Sequence, residues 1–252
     1  MRLLRHVVLA LAFAVGLAVS TTSGASATDV NAAVAANFTQ VATTLAAAFE
    51  KATGNHVNLS FGATGTLYTQ ITQGGPFDVF LSADDKRTGT AIKDGVGVDG
   101  TEFTYAVGKV ALYSPAIDVT DGVAVLKADA FQHIAIADPK AAPYGAAAMA
   151  VFDKLGLTAA VTPKIVTGEN ITQTQQFVDS GNAELGFVAL SQVIGKPATQ
   201  VWLPPQEDYP AIRQNAVLLK HGADNQAARD FLAFLKSDAG VAAIKAAGYE
   251  VE

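Results

Sequence analysis

The sequence predicts an α/β protein with two lobes, each a mainly parallel sheet flanked by helices, and a cleft between the lobes. Three observations lead to this prediction. Short strand-like runs alternate with helical patterns, which is typical of parallel sheets covered by helices. The alternation occurs twice along the 252 residues, before and after about residue 105. No low-complexity linker separates the halves, so strands should connect the two lobes directly.

The first half contains three strand-and-helix units. The strands are "DVNAAV", "HVNLSF" and "DVFLSA", followed by helices from Phe38, from Gly65 and near Asp84. In the first helix Val41, Leu45 and Phe49 stand four residues apart and share one buried face. Asn37 is placed to cap the start of this helix, and Gly54 is placed to end it.

The second half repeats the pattern and adds C-terminal helices. Its predicted strands are "VGKVALYS", "HIAIADP", "PKIVTG", "ELGFVAL" and "TQVWLP". One helix carries Met149, Phe152 and Leu155 and ends at Gly156, and another begins at Ile171. The last stretch, "NQAARDFLAFLKSDAGVAAIKAAGY", indicates one or two helices that bury Phe231, Leu232, Leu235 and Ile244.

These patterns predict two crossings, points at which the chain passes from one lobe to the other, near Gly108 and near Asn215. We expect the first lobe to span residues 28–108 and to be completed by residues 216–252. The second lobe should span residues 109–215. Two crossings of this kind form a hinge about which the lobes can close on a ligand.

Residues 1–27 have the features of a secretory signal peptide. Arg2 and Arg5 form a basic start, "VVLALAFAVGLAV" an apolar centre and "ASA" a cleavage motif. The mature chain should therefore begin near Thr28. No later segment approaches the ~20 uninterrupted apolar residues of a membrane span. We expect a soluble protein exported to the periplasm.

Cysteine content and charge narrow the function further. The chain has no cysteine, which excludes disulfides, thiolate metal ligands, a thiol nucleophile and a lipid-modified cysteine. Without residues 1–27 it carries 15 basic and 23 acidic residues, a formal charge of −8. We expect a monomer that is not lipid-anchored and does not bind nucleic acid. An anionic ligand would have to be held by local dipoles rather than by net charge.

Five segments stand where a strand gives way to a helix. They are "AAN" (35–37), "GATG" (62–65), "SAD" (82–84), "DPKAAPYG" (138–145) and "GENI" (168–171). In open α/β sheets ligands bind at this edge of the sheet. Each helix N-terminus offers unpaired N–H groups and roughly half a positive charge, so four of them can balance a dianion. The segments contain only one basic residue, Lys140, so the pattern indicates a fully deprotonated oxyanion held by neutral donors.

Each segment alone has a simpler interpretation. "GATGT" occurs in ordinary strand-to-helix turns, and it lacks the Lys-Ser/Thr ending of a phosphate-binding P-loop. Asn37 and Thr64 could be helix caps. The histidines lack metal-ligand spacing, and no serine stands in a G-x-S-x-G motif. An exported enzyme that uses Asp84 or Asp138 as a base remains an alternative.

The segments together resemble a known family. "AANF", "FGATGTLYTQI", "GGPFDVFLSADD", "DPKAAPYG" and "LGFVALSQV" are similar to segments of the periplasmic molybdate-binding proteins of ABC importers, in the same order. The resemblance implies a type II periplasmic binding protein that closes around tetrahedral molybdate or tungstate and delivers it to a membrane permease. It implies no cofactor, no cation site and no catalysis. A protein of the same fold for sulfate, phosphate or another oxyanion is the alternative.

The resemblance also implies which residues contact the ligand. It places donors at Asn37 and Thr64, main-chain N–H donors at Ala83 and Ile171, and a main-chain N–H at Ala36, where some relatives have a hydroxyl residue. One branch of the family draws a tyrosine from "GIVY", but here the segment is "GFVA" and ends in Ala189. Another branch draws it from "PYG", which matches Tyr144. The phenol donor is therefore predicted at Tyr144.

Overall fold

A computed structural model of the chain describes residues 28–252, and the predicted signal peptide lies outside the described residues. Ten strands are present in this part: β1 (Val30–Ala35), β2 (Val57–Gly62), β3 (Val79–Leu81), β4 (Phe103–Gly108), β5 (Val110–Tyr113), β6 (Ile134–Ala137), β7 (Ile165–Gly168), β8 (Leu185–Ala189), β9 (Val201–Trp202) and β10 (Ile212–Leu218). The α-helices of the same part are α1 (Thr39–Thr53), α2 (Thr64–Thr72), α3 (Lys86–Lys93), α4 (Gly122–Ala128), α5 (Pro143–Lys154), α6 (Thr158–Val161), α7 (Ile171–Asp179), α8 (Leu190–Val193), α9 (Gln226–Leu235) and α10 (Asp238–Ala246).

The strands form two five-stranded sheets, so the predicted two-lobed α/β fold is confirmed. The strand orders are β2-β1-β3-β10-β4 and β7-β6-β8-β5-β9. In each sheet four strands share one direction, and the fifth, β10 or β5, pairs antiparallel with both neighbours. Each reversed strand is the first one after the chain crosses from the other lobe. It enters at the edge where the parallel strands end, and therefore runs against them.

The two crossings lie beside the cleft. Only Lys109 separates β4 of the first sheet from β5 of the second. The interpretation of "VGKVALYS" as one strand is therefore wrong, because the segment divides between the sheets. The chain returns between β9 and β10, and β10 pairs with β3 and β4 from Ile212 onward. The predicted boundary at residue 215 thus falls inside β10.

The first helix shows what local patterns predict and what they miss. α1 buries Val41, Leu45 and Phe49, and Gly54 ends it in the left-handed conformation with φ 78°. These predictions are confirmed. The predicted cap at Asn37 is wrong, because Asn37 lies in a short 3-10 helix (Ala36–Phe38) that precedes α1. Its side chain bonds to distant residues of the first lobe instead.

Each lobe has its own hydrophobic core. In the first lobe the C-terminal helices cover α1, and the rings of Phe49 and Phe231 meet edge to face with centroids 5.4 Å apart. In the second lobe Phe152 of α5 packs on Phe187 of β8 at 5.2 Å. The parallel strands of both sheets end at the cleft, so the sheets position the segments between strands and helices against one another. Within residues 28–252, no helix is long and apolar enough to cross a membrane.

Candidate functional site

A small cavity lies between the lobes, where all five predicted segments meet. It is lined by the six predicted site residues, Ala36, Asn37, Thr64, Ala83, Tyr144 and Ile171. Its other lining residues are small ones, Ala35, Gly62, Ala63, Ala142 and Pro143. Among the described residues, no Lys, Arg, Asp or Glu lines this cavity.

The first segment offers main-chain groups to the cavity. Ala36 and Asn37 open the 3-10 helix that follows β1, and the first N–H groups of a helix have no partner within it. The side chain of Asn37 is engaged elsewhere: its Nδ2 donates to Gln214 Oε1 at 2.8 Å and to the Tyr249 hydroxyl at 2.9 Å. The side-chain amide of Asn37 is therefore already used, which leaves its main-chain N–H as the donor that Asn37 can offer.

Two of the predicted donors are coupled to each other. Thr64 is the first residue of α2, is buried, and accepts a hydrogen bond from the main-chain N–H of Ala83 at 3.0 Å. A hydroxyl can accept one bond and donate another. The Ala83 N–H thus orients the Thr64 hydroxyl, whose proton can be donated to a group in the cavity.

Ile171 contributes through its backbone. It is the first residue of α7, and the Asn170 side chain caps the next two N–H groups, those of Thr172 at 3.0 Å and Gln173 at 3.1 Å. This cap does not use the N–H of Ile171, and Ile171 lines the cavity. The apolar side chain of Ile171 packs in the core of the second lobe.

Tyr144 supplies the phenol from the N-terminal turn of α5. Its hydroxyl accepts a hydrogen bond from Gln214 Nε2 at 3.3 Å, and the ring is buried. Burial raises the pKa of Tyr144 well above its usual value, and the neighbouring phenols of Tyr249 and Tyr105 raise it further. The phenol therefore stays protonated at neutral pH and acts as a neutral donor.

Sequence reasoning missed the polar residues behind the cavity. Gln214 and Asn215 are buried in the middle of β10, and Tyr249 is buried in the C-terminal "GYEV" segment. Two adjacent amides within the apolar stretch "AIRQNAVLL" are the signal that could have indicated them, since buried polar side chains need partners.

The buried tyrosines predict a loss of stability at high pH. Burial raises the pKa of Tyr249 to about 12, and those of Tyr105 and Tyr144 shift in the same direction. The unfolded chain loses these protons near pH 10, so stability is full below pH 10 and falls as the pH rises toward 12. For Tyr249 alone we expect a loss on the order of 2 kcal/mol.

Urea unfolding at pH 8, 10 and 11.5 measures this loss. The matched variant Tyr249→Phe should start from a different stability but lose less of it between pH 10 and pH 11.5. Equal alkaline losses in the two proteins would contradict the assignment.

The charged residues near the cleft are engaged in other interactions. Arg87 pairs with Asp84 and donates from Nη2 to the main-chain oxygen of Lys140 at 2.8 Å. Asp84 also accepts from the N–H of Arg87 at 2.9 Å, and Asp138 accepts from the N–H of Lys140 at 2.9 Å. The two carboxylates thus stabilise local turns, and neither lines the cavity. Any attraction for an anion must come from N–H groups, hydroxyls and helix N-termini.

Hydrogen bonds connect the two lobes beside the cavity. The N–H of Gly65 in the first lobe donates to the main-chain oxygen of Ala141 in the second at 2.8 Å. Ser191 Oγ of the second lobe donates to the main-chain oxygen of Asn37 at 3.1 Å. In the part of the chain that the structure describes, no group of three or more His, Cys, Asp or Glu residues is placed to hold a metal ion.

Comparison with known proteins identifies the family. Residues 30–250 match the family described as bacterial extracellular solute-binding protein. The chain belongs to this family. Members of a solute-binding family bind rather than transform their ligands, so the prediction of a binding protein rather than an enzyme is confirmed.

Individual members of the solute-binding family are similar over nearly the whole chain. The molybdate-binding protein ModA of Rhodobacter capsulatus is 51% identical over 245 residues, 96% of this chain and 95% of that protein. The ModA protein of Azotobacter vinelandii is 51% identical over 232 residues, 90% and 92% of the two chains. The resemblance inferred from the short segments is therefore confirmed.

Solved structures of other binding proteins share the fold. A periplasmic molybdate-binding protein of Azotobacter vinelandii superposes with a TM-score of 0.85 at 38% identity, covering 88% of this chain and 99% of that one. The sulfate-binding protein SubI of Mycobacterium tuberculosis gives a TM-score of 0.67 at 14% identity, covering 88% and 86%. The second likeness shows the fold alone, so the fold does not decide between these anions.

Proposed function

We propose that the protein binds molybdate, and also tungstate, and delivers the anion to the permease of an ABC importer. The observation that carries the proposal is the cavity between the lobes, which is lined by residues that offer N–H and O–H donors and by no charged residue of the described chain. The relatives with 51% identity that are named for molybdate support the choice of anion.

The proposed donor shell consists of main-chain and hydroxyl groups. We assign to it the N–H groups of Ala36, Asn37 and Ile171, the hydroxyl of Thr64 backed by the N–H of Ala83, and the phenol of Tyr144. Each hydrogen bond to a charged ligand contributes roughly 1.5 to 3 kcal/mol. Five such bonds, less the cost of desolvation and lobe closure, are consistent with a Kd between about micromolar and nanomolar.

Size and protonation would set the selectivity. Molybdate and tungstate are tetrahedral dianions of nearly equal size, and both are larger than sulfate, so donors spaced for them hold sulfate loosely. Hydrogen phosphate carries a proton that requires an acceptor. Among residues 28–252 no carboxylate lines the cavity to accept it, which disfavours phosphate.

Isothermal titration calorimetry of the mature protein, freed of bound anion, tests the function. We expect submicromolar binding of molybdate and tungstate and no heat with sulfate or phosphate. Binding of sulfate or phosphate alone would contradict the choice of anion. The absence of heat with all four anions would contradict the oxyanion site itself.

Replacing Thr64 with valine should weaken molybdate binding by about 1 to 3 kcal/mol, because it removes one O–H donor to a charged ligand without changing the shape of the side chain. The same calorimetric titration measures the loss. Thr66→Val is the matched control, since Thr66 is exposed on the same helix. Equal affinities of the Thr64→Val and wild-type proteins would remove Thr64 from the donor shell.

We also propose that the protein acts as a monomer in the periplasm, without a lipid anchor and without nucleic acid. The predicted signal peptide, the lack of cysteine and the acidic charge support this location and state. Release by osmotic shock as a monomer that lacks residues 1–27 is the expected result. Retention in the membrane fraction would contradict it.

A further inference from the structure

A buried chain of hydrogen bonds connects the C-terminal segment to the cavity. It runs from Tyr249 through Asn37 and Gln214 to Tyr144, and these side chains are 4%, 5%, 0% and 2% exposed. We propose that Gln214 is a positioning residue, which directs the Tyr144 hydroxyl to donate to the ligand and so makes the site selective for fully deprotonated oxyanions. This inference rests on the proposed function.

A main-chain carbonyl at the Tyr249 end sets which group donates and which accepts in this series of hydrogen bonds. The main-chain oxygen of Asn37 can only accept. The Tyr249 hydroxyl donates either to it at 2.8 Å or to Ser191 Oγ at 2.9 Å, and Ser191 Oγ in turn donates to the same carbonyl. With its single proton used, Tyr249 accepts from Asn37 Nδ2 at 2.9 Å. The same Nδ2 has a second hydrogen, which it donates to Gln214 Oε1 at 2.8 Å. The oxygen of the Gln214 amide is thereby placed on the Asn37 side.

The Tyr105 hydroxyl is compatible with this orientation of the Gln214 amide. The Tyr105 hydroxyl lies 3.1 Å from Gln214 Oε1 and 3.1 Å from the main-chain oxygen of Ser82, both of which accept. Reversing the Gln214 amide would bring its N–H groups against the Asn37 Nδ2 donor. Gln214 therefore presents Nε2, not its oxygen, to the Tyr144 hydroxyl at 3.3 Å.

A hydroxyl that accepts from Gln214 must direct its own proton elsewhere. For Tyr144 the available acceptors are the neighbouring Tyr249 phenol, which already accepts from Asn37, and a ligand in the cavity. A charged oxyanion is the stronger acceptor of the two. The Tyr144 proton then joins the donors around the anion. A ligand that carries a proton of its own meets a donor at this position instead of an acceptor.

In the variant Gln214→Glu, the hydrogen bond between residue 214 and the Tyr144 hydroxyl should reverse its direction when the new carboxylate is ionised. A carboxylate only accepts, so it would take the Tyr144 proton away from the ligand. We expect molybdate binding to be about 10- to 100-fold weaker at pH 9. Binding should recover at lower pH, because a neutral carboxyl offers an O–H where glutamine offers an N–H, and burial raises the pKa of such a group. Wild-type binding should be unchanged over the same range.

The surroundings of residue 214 allow the pH profile to be interpreted. The titratable groups that face it are the phenols of Tyr105 on β4, Tyr144 on α5 and Tyr249 in the C-terminal segment. All three stay protonated below pH 10, and the charge of Asp84 raises the pKa of Tyr105 further. A change between pH 6 and 9 would therefore report the introduced carboxyl.

A double-mutant cycle with a neutral variant completes the test. Gln214→Met keeps the size of the side chain without a polar end, and we expect a several-fold loss of affinity. In the Tyr144→Phe background the same change should cost no further affinity, because Gln214 acts through the phenol. Gln73→Glu, an exposed change of equal charge, should bind as the wild type does.

Three results would overturn the inference. They are additive losses in the cycle, wild-type affinity of Gln214→Glu at pH 9, or a loss in that variant that does not depend on pH. Circular dichroism identifies any variant that has failed to fold. If Gln214→Glu does not fold, the double-mutant cycle with the neutral Gln214→Met variant tests the inference. The wild-type titration separates a failure of the inference from a failure of the proposed function. If the wild-type protein binds no molybdate, the proposed function is contradicted. If it binds molybdate and the variants give one of the three results above, only the role of Gln214 is contradicted.

Discussion

Replacing Gly108 with alanine should weaken molybdate binding by about two to three orders of magnitude while both lobes stay folded. A Cβ atom at this position would lie 2.0 Å from the Tyr144 hydroxyl and 2.7 Å from Gln214 Nε2. The closed form would then have to displace the phenol from the cavity. The cost combines overpacking with the loss of one donor to the anion, together about 3 to 4 kcal/mol. Opening of the cleft relieves the contact with Tyr144 but not the contact with Gln214, which lies in the same lobe. Both lobes should therefore stay folded, with a loss of stability of about 1 to 3 kcal/mol.

Gly89→Ala is the matched control for this change. Gly89 lies in α3, and a Cβ atom there meets no atom within 4 Å. Alanine is also the better helix former by about 1 kcal/mol, so the control should bind molybdate normally and be at least as stable. Calorimetric titration and thermal unfolding of both variants measure the two effects. Affinity within threefold of the wild type in Gly108→Ala would contradict the close approach of Tyr144 to the hinge strand.

Replacing Gly145 with alanine should destabilise the second lobe as well as the site. A Cβ atom at Gly145 would lie 2.1 Å from the main-chain oxygen of Ala137 and 3.0 Å from the nitrogen of Pro139. Main-chain atoms of β6 and its loop cannot rotate away as a side chain can. α5 would therefore have to move off the sheet, carrying Tyr144 with it, at a cost of about 3 kcal/mol or more.

Urea unfolding and molybdate titration measure the two consequences of Gly145→Ala. The unfolding midpoint should fall, and affinity should fall with it because Tyr144 precedes the substituted residue. Gly89→Ala is again the control. A wild-type midpoint in Gly145→Ala would contradict the tight packing of α5 on β6.

Much of the fold could be predicted because strands and helices carry local patterns. The strand-and-helix units and the end of α1 at Gly54 follow from periodicity and turn residues. β10 was missed because Arg213, Gln214 and Asn215 interrupt its apolar run. The split between β4 and β5 was missed because a single residue, Lys109, separates two strands that belong to different sheets. Pairing in sheets depends on residues far apart in the chain, which a local pattern does not contain.

Main-chain donors of the candidate site could be predicted from the sequence, whereas side-chain contacts could not. A helix start predicts where N–H groups lie, whatever the side chain, and this indicated the segments "AAN" and "GENI". The family resemblance then named Ala36 and Ile171 within them. The contacts of the Asn37 side chain could not be predicted in this way. Its partners Gln214 and Tyr249 lie 177 and 212 residues away in the sequence, so only the folded chain brings them together.

A crystal structure of the mature protein with molybdate, phased at the molybdenum edge, tests the central claim most directly. The anomalous peak should lie in the cavity between the lobes. The oxygens of the anion should be within about 3 Å of Thr64 Oγ1, the Tyr144 hydroxyl and the Ile171 nitrogen, and no Lys or Arg side chain should contact it. A peak outside this cavity, or one bound by Arg87 or another cationic side chain, would contradict an anion site built from neutral donors.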